Sequence, residues 1–179
     1  MPTHSGIIPA VWLSLSLAGG AAAGEGPNLG KPIDAADIAA WDISIQPDGT
    51  GLPTGAGKAA DGARIYAEKC AQCHGPDGKG SATSPTPLVG GGPITDISAS
   101  MKTISNFWPY ATTVFDYIRR AMPWQQPMTL TSDEVYALTA YILAANKLIG
   151  DNDTINAQTL PKVTMPNHDG FIVRFPDAM

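Results

Sequence analysis

At 179 residues with 44% hydrophobic side chains, the chain has room and apolar material for one buried core, or for one domain with long extensions. Its net charge is -5 and it holds no basic run, which excludes nucleic-acid binding because nothing stands ready to neutralise phosphates. With 19 glycines and 16 prolines, much of the chain is expected to be loop and extended coil.

Residues 7–17 (IIPAVWLSLSL) are mostly apolar and lead into Ala21-Ala22-Ala23, an A-x-A cleavage pattern before Gly24. Residues 1–23 are therefore expected to be a signal peptide, with the mature chain exported to the periplasm. The n-region has His4 but no Lys or Arg, so a start further upstream, or a misassigned one, is expected; a plain disordered N-terminus is the alternative reading. The apolar run is too short, and too broken by Pro9 and Gly19-Gly20, to cross a bilayer, so no membrane span is expected in the mature chain.

An N-terminal arm is expected over 24–57, rich in Pro and Gly, with one short helix over 34–41 for which Asp34 is the N-cap. Pro47-Asp48-Gly49 makes a turn within it. The spacing of Ala59, Ala63, Tyr66 and Cys70 predicts a helix over 58–70, interrupted by Gly62, which costs about 1 kcal/mol against Ala unless another helix approaches its backbone closely. Residues 75–108 read as loop. A second helix is predicted over 109–121, with Pro109 in its first turn and an end at Met122-Pro123, because a residue before proline is pushed out of the α region. Thr131 and Glu134 form a capping box that opens a third helix reaching about Lys147, with Val135, Leu138, Tyr141, Ile142 and Ala145 on its apolar face. Residues 150–179 carry three prolines and little periodicity, and are expected to form a C-terminal arm.

The chemistry concentrates in Cys70-Ala71-Gln72-Cys73-His74. C-x-x-C-H is the haem-attachment signature: two thiols at this spacing add to the two vinyl groups of one porphyrin, and the adjacent histidine ligates the iron. A thioredoxin-type redox pair would need a neighbouring βαβ pattern, which is absent, and a zinc site would need four ligands where only His168 is left to add. One covalent haem c is the expected cofactor. Its sixth ligand has four downstream candidates, Met122, Met128, Met165 and His168. Met122 is favoured by its place in a Met-Pro pair after a helix, and a thioether raises the potential of the iron as an electron carrier requires. Arg119 and Arg120 read either as a solvated helix face, with one pairing to Asp116, or as a propionate or docking contact; Phe107, Trp108 and Tyr110 read as pocket wall or core.

C-x-x-C-H at the end of a helix, Pro87-Leu88 in the following loop, Met122-Pro123, and a capped helix containing Ala137-Leu138-Thr139-Ala140-Tyr141-Ile142 together resemble a class I cytochrome c. The resemblance covers about 57–149 and implies an all-α class I cytochrome c fold, here over 58–149, with long irregular N- and C-terminal arms. It also implies that Gly62, Tyr66 and Tyr141 sit at a helix crossing, and that the Pro87 carbonyl accepts a hydrogen bond from the ligating imidazole of His74. A closer resemblance is to the SoxD family, the cytochrome subunits of sulfane dehydrogenases, which partner a molybdenum subunit of the sulfite-oxidase type. It is carried by Ala39-Ala40-Trp41-Asp42-Ile43, by 47–53 (PDGTGLP), by 108–113 (WPYATT), by 116–123 (DYIRRAMP), and by Leu160-Pro161-Lys162 with Met165-Pro166-Asn167. That family carries a second haem domain, whereas one C-x-x-C-H is present here, so the resemblance is to its first half. It implies an electron-transfer subunit rather than a catalyst, serving a molybdenum-containing partner and a downstream cytochrome or oxidase. A free shuttle cytochrome and a haem enzyme with a labile sixth ligand are the alternatives.

Overall fold

A computed structural model describes residues 29–172. The expected signal peptide lies outside the described residues, as do the last residues of the expected C-terminal arm. The described chain runs through helix α1 (Ala35–Trp41), strand β1 (Ala56–Lys58), helices α2 (Ala59–Lys69), α3 (Ala71–His74), α4 (Ile104–Phe107), α5 (Ala111–Ala121) and α6 (Ser132–Ala145), and strand β2 (Thr154–Asn156), ending in a 3-10 turn at Leu160–Lys162. The class I cytochrome c fold is helical as expected, with one addition: β1 and β2 form a small antiparallel ribbon, Gly57 opposite Ile155. No described helix is long and apolar enough to cross a membrane.

The fold is organised on α6. Its start is held by the reciprocal Thr131–Glu134 box, in which the Glu134 carboxylate accepts from the Thr131 backbone at 2.8 Å. Most of its residues are buried, so the helix is apolar almost all round, as suits a central element. Two glycines bring other segments onto its backbone. A Cβ at Gly62 of α2 would overlap the Ala137 carbonyl, and one at Gly57 of β1 would overlap the Ala137 backbone from the other side. The helix-breaking tendency of Gly62 is thus exchanged for close contact between α2 and α6, where Tyr66 and Tyr141 stack with centroids 4.8 Å apart. On the opposite side, Phe115 of α5 meets Tyr136 of α6 at 4.4 Å.

Both flanking segments are tied to this core. The Tyr136 hydroxyl donates to the Pro53 carbonyl at 2.8 Å, the Asp133 carboxylate accepts from the Ala56 N–H at 2.8 Å, and Arg120 donates both to Asp116 and to the Ile43 carbonyl. The sequence reading placed an arginine three residues beyond Asp116, that is Arg119, in this pair; the structure pairs Arg120, four residues on, and its second bond, to the N-terminal segment, is decided by tertiary structure. Beyond α6, Ile155, Leu160 and Met165 are fully buried in the same core. Met165 is therefore a packing residue, although the sequence left it open as an iron ligand. Tyr136→Phe removes the link to Pro53 and leaves that carbonyl without its partner. About 1 kcal/mol of stability is expected to go with it, read as a melting point roughly 2–4 °C lower.

Candidate haem-binding site

The segment after α2 positions the two cysteines by ordinary helix-end geometry. α2 stops at Cys70, and the next turn, α3, carries Cys73 and His74, closed by Gly75 at φ 79 in the left-handed region. The Tyr66 hydroxyl donates to the Gly75 carbonyl at 2.8 Å and the Ser81 hydroxyl donates to the Cys73 carbonyl, which fixes the turn from both sides. Before haem is attached, burial pushes the Cys70 thiol up to about 11, the opposite direction from the lowered thiol of a redox-active pair. Burial also lowers His74, which favours the neutral imidazole a metal ligand needs.

Met122 arrives from elsewhere in the chain. α5 ends at Ala121, and Met122 turns to an extended conformation (φ -119, ψ 142) immediately before Pro123, as the sequence predicts. Two adjoining cavities, of about 370 and 300 Å³, share His74, Ser84, Leu88, Ile118, Met122 and Ile142 as walls. Cys70 and Cys73 line the larger one; Pro87, Trp108 and Lys102 line the other. Of the alternative sixth ligands, none is on these walls: Met128 is exposed, Met165 is in the core, and His168 pairs with Asp169 at 2.7 Å beside Tyr110. With His168 elsewhere, and no other group of three or more His, Cys, Asp or Glu poised for a metal among the described residues, a zinc site lacks its ligand set. Trp108 is pocket wall, whereas Phe107 and Tyr110 pack against the C-terminal segment, at Phe171 and His168.

Pro87 stands on the wall of the cavity that His74 also lines, but the hydrogen bond at His74 Nδ1 is with the Ser84 hydroxyl, at 3.5 Å, where the Pro87 carbonyl was the expected partner. The loop carrying both is fastened by residues that the sequence did not single out. Asn146, the C-cap of α6, donates to the Leu88 carbonyl at 2.9 Å and accepts from the Gly90 N–H at 2.8 Å. Thr103 and Ser105 donate to the Gly90 carbonyl, and Asn106 donates to that of Gly92. Thr103 and Asn106 also cap α4 reciprocally, but a Thr-x-x-Asn pair lacks the acidic third residue by which capping boxes are usually found.

The donor set fits a haem. Two thiols, an imidazole and a thioether line one apolar cavity, within the range of about 300–1,000 Å³ usual for cofactor sites. The Cytochrome c family model matches residues 59–146. The fold is also similar to a chain in the crystal structure of the sulfane dehydrogenase SoxCD from Paracoccus pantotrophus, with a TM-score of 0.75 and 38% identity, covering 84% of this chain and 74% of that one. The chain belongs to the cytochrome c family. Membership implies covalent haem c at the C-x-x-C-H motif, and makes the cytochrome an electron carrier. No curated protein sequence matched it. The likeness to the SoxCD chain extends well beyond 59–146, so the cytochrome shares more than its haem domain with that protein.

Proposed function

We propose that this cytochrome carries one haem c in the periplasm and accepts electrons from a molybdenum-containing, sulfite-oxidase-like subunit that oxidises a sulfur compound. It passes them singly to a downstream cytochrome or oxidase. The observation that carries this reading is the 38% identity and 0.75 TM-score over 84% of the chain to a chain of SoxCD, a match that reaches into the flanking segments as well as the haem domain.

Bound haem c supplies a one-electron iron couple. The protein's part is to hold and tune it. Cys70 and Cys73 provide the two covalent attachment points, which keeps an exported protein from losing its cofactor by dilution. His74 would supply an imidazole to the iron, and the Ser84 hydroxyl at Nδ1 would orient the ring and raise its basicity. Met122, on the wall of the same cavity, would supply a thioether to the iron, a ligand type that favours the reduced state. Leu88, Ile118, Leu138 and Ile142 keep water from the cavity.

The test is isolation of the native protein. A pyridine haemochrome assay is expected to give one haem per chain. The cytochrome is expected to copurify with a molybdenum subunit, and a reduced sulfur compound added to the complex should bleach the ferric spectrum. A cytochrome that elutes alone at micromolar concentration, and is not reduced through such a subunit, would count decisively for a free shuttle.

A further inference from the structure

Among the described residues, the N-terminal segment is held to the body of the molecule from Ile43 onward. Arg120 holds the Ile43 carbonyl at 2.8 Å, and Ile45 and Leu52 pack on the core. Upstream of that anchor the packing reverses. Helix α1 is well made, with Asp34 and Asp37 capping each other's backbone N–H, the shorter bond at 2.8 Å. Its apolar side chains nevertheless face outward, Trp41 87% exposed and Ile38 49%, as does Ile33 just before the N-cap, at 66%. With Asp37 and Asp42 they line one open hollow, which lies outside the hydrophobic core.

Seven residues are too few for a helix to persist alone in water, so α1 needs a surface to complete it. Contiguous apolar patches of this kind are rare on isolated proteins, and tryptophan is among the commonest anchors of protein interfaces. The rim identifies the kind of surface. Asp37 and Asp42 stand among the apolar residues of the hollow, with Asp34 at the N-cap of the same helix, and the N–H of Ser44 bonded to Asp42 at 3.0 Å holds that carboxyl below the usual carboxylate range. Three carboxylates repel anionic lipid headgroups, which argues against a membrane. They complement an apolar socket ringed by lysine or arginine, the helix-in-groove mode of recognition.

We infer that α1 is a docking helix, inserting Trp41, Ile38 and Ile33 into a basic-rimmed apolar socket on the molybdenum subunit. This inference rests on the function proposed above. The Arg120 anchor then makes the arm a short tether that keeps the haem cavity at high effective concentration beside its electron donor.

The test uses the full-length, haem-loaded cytochrome and the separately produced sulfite-oxidase-type molybdenum subunit of the same organism, with binding measured by calorimetry. Because neither side chain enters the core, Trp41→Ala with Ile38→Ser should leave the visible spectrum and melting point unchanged. The dissociation constant is expected to rise by about 100-fold or more, and wild-type binding should weaken as salt is raised. Equal binding by the double variant overturns the docking role of α1 while leaving the proposed function standing; no binding by the wild type overturns both. A wild-type dimer in sedimentation that the variant fails to form would assign the patch to a second copy of this chain. Wild-type binding to anionic vesicles would assign it to a membrane, and either result overturns the inference.

Discussion

Met122→Ala is expected to abolish the sulfur-to-iron charge-transfer band of the ferric cytochrome and to open the iron to external ligands. Cyanide or imidazole, which an intact thioether ligand holds off, should then bind readily. The reduction potential should fall by on the order of 0.1–0.3 V, a modest part of the roughly 0.8 V that axial ligands command. The expectation is specific because the three competing groups lie elsewhere: Met165 is fully buried in the core, Met128 is exposed, and His168 faces Tyr110. Met128→Ala in parallel should leave the spectrum and potential as they are. An unchanged spectrum in Met122→Ala would remove Met122 from the iron. If the variant instead gained catalytic turnover with peroxide, the role of Met122 would be to suppress chemistry at an otherwise open iron.

The second large effect is expected in the core. Gly62→Val places a Cβ against the Ala137 carbonyl, and the obstacle is helix backbone, which cannot swing aside as a side chain can. α2 and α6 must separate, so the substitution should cost about 3 kcal/mol or more. The melting point of the haem-loaded protein is then expected roughly 10 °C lower. Leu138, the residue next to the contact, and Ile142, about one and a half turns further along α6, line the cavity, so a broadened or shifted Soret band should accompany the loss. Gly62→Ala should act in the same direction with smaller amplitude. A melting point within 1–2 °C of wild type, where a shift of that size means less than about 1 kcal/mol, would show that the two helices are less closely packed than their geometry indicates.

Helix α1 shows why local order and burial are separate matters. Its capping residues, Asp34 and Asp37, act within one turn of chain, so the helix was legible from the sequence alone. Its exposure was not, because whether Trp41 and Ile38 find a surface depends on where Arg120 and Tyr136 fasten the chain that follows. The β1–β2 ribbon was missed for a related reason: three-residue strands carry no readable period, and Gly57 and Ile155 pair only once α6 has gathered both segments. The loop over 75–108 looked featureless because its order comes from Asn146, Thr103 and Asn106, whose bonds join residues distant in sequence.

The covalent haem motif was the firmest reading at the outset, and it belongs to the sequence outright. Two thiols and an imidazole within five residues need nothing beyond one turn of helix to stand together, the start of α6 follows from its capping box, and the end of α5 follows from the proline after Met122. Which of four downstream side chains faces His74 was open, since any of them can reach the iron along a flexible chain. The tertiary structure closes the core around Met165, leaves Met128 in solvent and brings Met122 onto a cavity wall that His74 also lines, which is what the proposal of Met122 as sixth ligand rests on. The physical reason is range: capping and helix periodicity act over three or four residues, whereas the approach of α5 to the α2–α6 crossing depends on burial summed over the whole core.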